Sequence, residues 1–358
     1  MKLASYKDGS RDGQLVVVSS DLGLAHYATG IATRLQQVLD DWNFMSPLLE
    51  DLARTLDHGK ARHAFPFEPG RCLAPLPRGG PWIALEAARP APDGLRARGG
   101  FAPRHGPGVA DLAGGGADAQ ALDVDTRWVV VPGELPAGVG ADAALDGVRL
   151  VTLACVLLDR RSAAAGADAA PPDAEDERGV WFAPVLATPE ALGPAWQGGR
   201  LQGTLELRHG GQRLGRLVLD GSGGGPLHAG HALAHLARQR ALDGGLVAGP
   251  PLRATEPTQG AASLAERRGR EAAADGAPRG AWLQPGDTWT VRLLDRDGQA
   301  PLGMVELRLG GEPAAGAPDD AAAADGSAAP AAAGLARGGP GDTPAARPGT
   351  DGPSDPAA

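Results

Sequence analysis

MKLASYKDGSRDGQLVVVSSDLGLAHYATGIATRLQQVLDDW, Met1 to Trp42, is the stretch on which the reading of the fold turns. Leu15–Ser19 (LVVVS) is a short, β-branched apolar run that follows the turn-like DGSRDG, and it reads as a strand. From Ala32 to Leu56 the apolar residues Leu35, Val38, Leu39, Trp42, Leu48, Leu49, Leu52 and Leu56 recur largely at helical spacing, with a break near Asn43–Pro47. Two helices packed on a small sheet account for residues 1–70.

Outward from this block the signals weaken and then return. Residues 79–120 are rich in Gly, Pro and Ala and show little periodicity, which predicts loops. Trp128–Val131 (WVVV) and Val148–Leu158 (VRLVTLACVLL) are apolar runs of buried-strand type, with a short helix expected at Asp142–Leu145 between them. Residues 162–178 read as a polar, low-complexity loop. Leu201–Leu207 and Arg213–Leu219 flank HGGQ and predict a hairpin, and Leu227–Leu242 predicts an amphipathic helix. Trp289–Leu294 and Leu302–Leu309, separated by DRDGQ, predict a second hairpin. From about Gly311 to Ala358 the chain is almost entirely Ala, Gly, Pro, Asp, Ser and Thr. Such a segment has too few apolar groups to offset the entropy of ordering, so a disordered tail is expected.

Composition narrows the function. The 358 residues carry a formal net charge of -9, with lysine only at Lys2, Lys7 and Lys60. A nucleic-acid surface needs a basic footprint, which this balance opposes. Aromatic content of 4% leaves a core of Leu, Val and Ala. Cys72 and Cys155 are too isolated to form a CxxC metal or redox signature. No charged-then-apolar leader and no bilayer-length apolar run is visible, so the expectation is a cytoplasmic protein with no membrane contact and reduced thiols.

The opening segment, LAPLPR at Leu73–Arg78, GAASLAERRGRE at Gly260–Glu271 and LQPGDTWTVRLLDRDGQAPLGMVE at Leu283–Glu306 occur in an order and spacing that resemble the fumarylacetoacetate hydrolase family. The resemblance covers most of residues 1–310 and is weakest over 79–178. It implies an α+β fold: a small N-terminal α+β domain at 1–72, then a β-rich mixed-sheet core, barrel-like or rolled, at 73–310, with the tail at 311–358. It also implies a homodimer joined through the C-terminal domain.

The same resemblance implies a chemistry. Family members bind Mg²⁺ or Mn²⁺ and stabilise the enolate formed when a carbon–carbon bond of a 2-oxo or β-diketo acid is cleaved, as in aromatic compound catabolism. Two ligands come from an E-x-E pair, whose spacing puts both carboxylates on one strand face. A third comes from an Asp on the neighbouring strand. Here the E-x-E positions are Asp125 and Arg127, and the neighbouring Asp position is Val156. The family lysine before VWFAPV falls on Glu177. The threonine of its glycine-rich turn falls near Leu252, and no histidine occupies the general-base stretch, His105 being nearest. Arg127 and Glu177 are charge reversals. They are expected either to pair across the vacated site or, by slight preference, to face solvent in a loosened region.

Other candidates have ordinary explanations. His228, His231 and His235 share a predicted helix face and could hold Zn²⁺ or Ni²⁺, but helix-packing histidines are the better reading. Gly221–Gly225 lacks the P-loop Lys-Ser/Thr ending and reads as a flexible loop. Glu266, Arg267, Arg268 and Glu271 predict helical ion pairs, either Arg267 or Arg268 with Glu271. Cys155 reads as a buried strand residue.

Three functions follow in order. The first is a fumarylacetoacetate hydrolase-like pseudoenzyme without a cofactor, whose surviving role is binding or dimerisation. The second is a working metal-dependent hydrolase, hydratase or decarboxylase that uses Asp125. The third is a metal-free module that binds small acids through arginines such as Arg127.

Overall fold

The computed structural model describes residues 1–87, 95–100, 103–110, 121–160, 177–220 and 228–310. The expected loop over most of 162–178, the glycine loop at Gly221–Gly225 and the expected tail lie outside these residues. The described residues belong to one compact unit.

The chain opens with a meander of β1 (Lys2–Tyr6), β2 (Gln14–Val18) and β3 (Leu24–Tyr27), closed at its edge by β4 (Phe65–Pro66). Between β3 and β4 lie α1 (Leu35–Asp40) and α2 (Trp42–Asp57). The helical break falls at Asp41 and not at Asn43–Pro47, because α2 runs through Pro47. Leu35, Val38, Leu49 and Leu56 bury against Leu3, Leu15 and Val17.

Residues 79–110 differ from the expectation of loops. β5 (Trp82–Ala87) and β6 (Leu95–Gly100) form an antiparallel hairpin, followed by β7 (Arg104–His105) and β8 (Gly108–Ala110). Among the residues of the hairpin whose burial is described, Trp82, Ala84, Leu85, Glu86 and Leu95 are buried. The strand signal was therefore carried by a few apolar side chains among small and charged ones.

The centre of the molecule is the pair β9 (Leu122–Pro132) and β11 (Val148–Asp159), antiparallel over almost their whole length. Between them come β10 (Glu134–Leu135) and α3 (Ala141–Asp146). β12 (Glu177–Phe182) and β13 (Leu186–Ala187) pair with the far and near halves of β11, and β13 also pairs with β1. The sheet thus passes without interruption from the N-terminal meander into the rest of the molecule. After α4 (Pro189–Leu192) and the short pair β14 (Trp196–Gln197) and β15 (Arg200–Leu201) comes the expected hairpin, β16 (Gly203–His209) and β17 (Gln212–Leu219).

The predicted amphipathic helix is shorter than expected, α5 (Ala229–Leu236). β18 (Leu242–Asp243) pairs with β10, and β19 (Leu246–Ala248) lies between β9 and β5. α6 (Leu264–Asp275) precedes the last hairpin, β20 (Thr288–Leu294) and β21 (Met304–Leu309).

The result is a mixed α+β fold dominated by two sheets. The large one is ordered β4-β3-β2-β1-β13-β11-β9-β19-β5-β6, with β12 and then β7 branching from β11. The other is ordered β17-β16-β20-β21-β8. Among the described residues neither sheet closes on itself, so the barrel-like alternative gives way to open, mixed sheets. One core cluster joins β9, β11 and β12 to the N-terminal helices. The other joins the opposite face to the second sheet through Leu205, Trp289, Val291 and Val305.

Candidate functional site

β9 is an unusual strand: all eleven of its residues are buried, yet three of them are charged. Strand alternation puts Asp123, Asp125 and Arg127 on one face. Across the ladder they meet Leu158, Val156 and Ala154. Val156, where the resemblance leads one to expect the third ligand, stands directly opposite Asp125, and it is fully buried. Asp159 extends β11 by one residue, but alternation turns it to the other face, where Arg178 binds it at 2.9 Å.

A charge in a low-dielectric interior requires compensation, and each of the three has it. Asp123 accepts the backbone N–H groups of Leu264 at 2.8 Å and Ala265 at 3.1 Å, at the start of α6, as well as that of Val124 at 2.8 Å. A helix N-terminus offers unpaired N–H groups and a favourable dipole to a carboxylate. The Arg160 guanidinium spans Asp123 at 3.1 Å and Asp125 at 2.7 Å. Arg253 reaches Asp125 from outside, Nη1 to Oδ1 at 2.7 Å and Nη2 to Oδ2 at 3.4 Å. Its side chain keeps 45% of its exposure, whereas that of Asp125 keeps 3%.

Arg127 donates to the carbonyls of Leu85 at 2.8 Å and Gly249 at 3.0 Å and forms an ion pair with Glu86. Its Nε is buried without a hydrogen-bond partner. Gly249 has no room for a side chain, since a Cβ there would sit 1.9 Å from the Trp128 indole.

These contacts set the protonation of the two aspartates in opposite directions. Burial alone would raise Asp125, but Arg253, Arg160 and Arg127 outweigh it and hold the carboxyl well below the usual range. Burial raises Asp123, helped by the charge of Asp125, against the pull of Arg160 and the α6 N–H groups.

Neither expectation for Arg127 and Glu177 holds. Both side chains are buried, at 1% and 8%, so they do not face solvent. Nor do they pair with each other. Arg127 lies opposite Ala154 whereas Glu177 lies opposite Leu158, four residues along β11, and the ion-pair partner of Arg127 is Glu86. Glu177 accepts the Trp82 indole N–H at 3.2 Å. Leu252 donates its backbone N–H to Thr126 at 2.8 Å, which brings the following Arg253 to Asp125.

His105 stacks on Trp181 at 4.5 Å, on the face opposite Asp125, and burial lowers its pKa. His228 is the N-cap of α5 and accepts the His231 N–H, with the two rings 3.9 Å apart. Among the described residues no three His, Cys, Asp or Glu side chains are grouped to hold a metal ion. In α6 the pair is Arg267–Glu271 at 3.7 Å, alongside Glu266–Arg270 at 2.6 Å, while Arg268 stacks on Trp282. Cys72 and Cys155 are buried free thiols, each pushed up to about 12 by burial. No helix among the described residues is long and apolar enough to cross a membrane.

Sequence reasoning missed Asp123, Arg160, Arg253 and Glu86. The alternating Asp-x-Asp-x-Arg of Asp123–Arg127 was the available signal for the first of these.

The arrangement fits a divalent cation poorly. Hard ions of this kind take several oxygen ligands, but the face around Asp125 offers an isopropyl group opposite and guanidinium nitrogens on its carboxylate. Unit charges about 4 Å apart in surroundings of intermediate polarity interact by about 4 kcal/mol, so the guanidiniums already supply the counter-charge that an ion would bring. A cavity of about 770 Å³ that includes Trp42, Pro132, Glu134 and Arg149 in its lining opens at the other end of β9. Asp125 is seven residues away along the strand, roughly 23 Å at a strand's rise.

Residues 1–78 match the model of fumarylacetoacetase N-terminal domain 2. The fold is similar to that of fumarylacetoacetate hydrolase from psychrophilic Exiguobacterium antarcticum (15% identity, 87% of this chain and 100% of that one, TM-score 0.54). It is also similar to maleylpyruvate hydrolase from Sphingobium sp. SYK-6 in complex with manganese (II) ion and pyruvate (15% identity, 87% and 99%, TM-score 0.51). A Mycobacterium smegmatis protein assigned to HpcE aligns at 19% identity over 87% of this chain and 100% of its own, with a TM-score of 0.56. No curated protein sequence matches the chain significantly.

Proposed function

For a chain that carries the fumarylacetoacetase N-terminal domain on the fold of the fumarylacetoacetate hydrolase family, we propose a role without the family's metal-dependent carbon–carbon bond chemistry. The carrying observation is the capture of Asp125 by Arg160 and Arg253. Asp125 is the one acidic residue left at the three ligand positions, and its oxygens already face cations. Arg127 and Val156 occupy the other two positions, and Glu177 puts an acid where the family has a lysine. No reaction step is derived through an ion that these residues do not fit.

The surviving role is that of a pseudoenzyme, acting through binding or as one partner of a homodimer. The arginine-based acid-binding reading is less favoured. Arg127, Arg160 and Arg253 are each matched by a carboxylate of Glu86, Asp123 or Asp125, which leaves no surplus positive charge to recruit an anion. The alternative is an active metal-dependent hydrolase, hydratase or decarboxylase of 2-oxo or β-diketo acids, for which the one support is a structural neighbour, a maleylpyruvate hydrolase, in complex with manganese (II) ion and pyruvate.

The test is calorimetric titration of Mg²⁺ and Mn²⁺ into the folded chain, with and without oxalate as an enolate mimic. The proposal expects no saturable heat at millimolar metal. Saturable binding that is abolished by Asp125→Ala would overturn it and restore the enzyme reading.

A further inference from the structure

The misfit to a divalent ion has a specific author among the side chains. Arg127 acts on Asp125 only through space, since its hydrogen bonds go to Glu86, Leu85 and Gly249, and Val156 is neutral. Arg160 is divided between Asp123 and Asp125. Among the described residues Arg253 alone addresses both oxygens of Asp125. It does so from the solvent side, with its side chain partly exposed over a carboxylate that is not. A planar fork set on a carboxylate satisfies the acceptor geometry that an ion would otherwise use.

We propose that Arg253 is a built-in plug: its guanidinium supplies the counter-charge at Asp125 from within the chain and bars external cations from that carboxylate. The inference rests on the metal-free reading above and adds the residue responsible. It assigns Arg253 a positioning and exclusion role with a gain-of-binding signature, which a merely structural salt bridge would not produce.

Arg253→Ala is the informative variant, because a partly exposed side chain can be truncated without opening the core. Its melting temperature is expected to fall, and millimolar Mn²⁺ is expected to raise it again while leaving the unsubstituted chain unmoved. Arg253→Lys keeps a point charge without the fork and is expected to remain insensitive to Mn²⁺. A second pair tests the plug with a ligand supplied. Val156→Asp alone is expected to stay silent to Mn²⁺ in calorimetry, and Val156→Asp with Arg253→Ala is expected to bind it saturably.

If the unsubstituted chain is silent and Arg253→Ala is equally silent in both melting and calorimetry, the plug is refuted while the metal-free reading stands. If the unsubstituted chain itself binds Mn²⁺ through Asp125, both fall.

Discussion

Nη2 of Arg160 lies 2.7 Å from Oδ1 of Asp125 and 3.1 Å from Oδ2 of Asp123, so one guanidinium joins two carboxylates that leave the same strand face two residues apart. The join spans 35 and 37 residues of sequence and ties the end of β11 back onto β9. Breaking a buried ion pair by removing one partner costs about 3–5 kcal/mol, because the remaining charge is left uncompensated. Arg160→Met is therefore expected to lower urea stability by about that amount. Adding Asp125→Asn to Arg160→Met should cost less than the sum of the two single effects. Additivity within about 0.5 kcal/mol would show that the two residues are not coupled.

The opposite shifts of the two aspartates give stability a readable pH dependence. Asp125 is depressed in the fold. Its contribution is therefore fully present above the ordinary unfolded carboxylate value of about 3.9 and is lost as pH falls from there toward its lower folded value. Asp123 is raised, so its ionised form is disfavoured in the fold, and its own term becomes less unfavourable as pH falls through its folded value. Asp125→Asn removes the first term and, by taking away the neighbouring charge, also relaxes part of the upward shift of Asp123. Relative to the unsubstituted chain, the variant should be least stable near neutrality, and the gap should narrow below about pH 4. Denaturant midpoints at several pH values check this, and a gap that stays constant would remove Asp125 as its source.

Much of the frame was legible because local pattern and pairing agreed. The β16–β17 and β20–β21 hairpins carry their turns and apolar runs in adjacent sequence. The β5–β6 hairpin was not legible, since its strands are dominated by Ala, Gly and Arg and are stabilised by pairing with β19, more than 140 residues later. The charged cluster was half legible. Asp125 and Arg127 declare their charge in the sequence, but the partner of Arg127 is 41 residues upstream and one partner of Asp125 is 128 residues downstream. Residue type does not reveal which carboxylate a guanidinium will reach. That depends on the register of β5 and on the course of residues 249–253 along β9.

Placing a lysine at position 177, where the resemblance implies one, should harm this chain. Glu177 is buried and accepts the Trp82 indole N–H, with Phe182 packed edge-on against that indole. Glu177→Lys would replace an acceptor with a donor and leave both the indole and a buried ammonium poorly matched, at a cost of about 3 kcal/mol or more. The expected outcome is a lower melting temperature with no turnover of 2-oxo or β-diketo acids. Turnover by this single variant would show that the remaining groups are already poised for catalysis.

Cys72 and Cys155 should be silent in the folded chain. Both thiols are buried and pushed up to about 12, which leaves almost no thiolate at neutral pH, and thiolate is the reacting form. A thiol reagent should label neither residue in the native protein and both in denaturant. Labelling of Cys155 at a rate independent of denaturant would mean that β11 opens locally.

The tightest steric prediction concerns Gly249. Its carbonyl holds Arg127 at 3.0 Å, and a Cβ on it would come within 1.9 to 2.3 Å of three atoms of the Trp128 indole. Such an approach cannot be absorbed by the far end of a flexible side chain, so the ring or the backbone must move. Overpacking of this kind costs about 1–3 kcal/mol. Gly249→Ala should therefore lower the urea midpoint and change near-ultraviolet circular dichroism through Trp128. Pairing it with Trp128→Leu, which vacates the space, should recover part of the loss. If Gly249→Ala is as stable as the unsubstituted chain, the close approach of β9 to the segment after β19 is wrong, and with it the carbonyl that anchors Arg127.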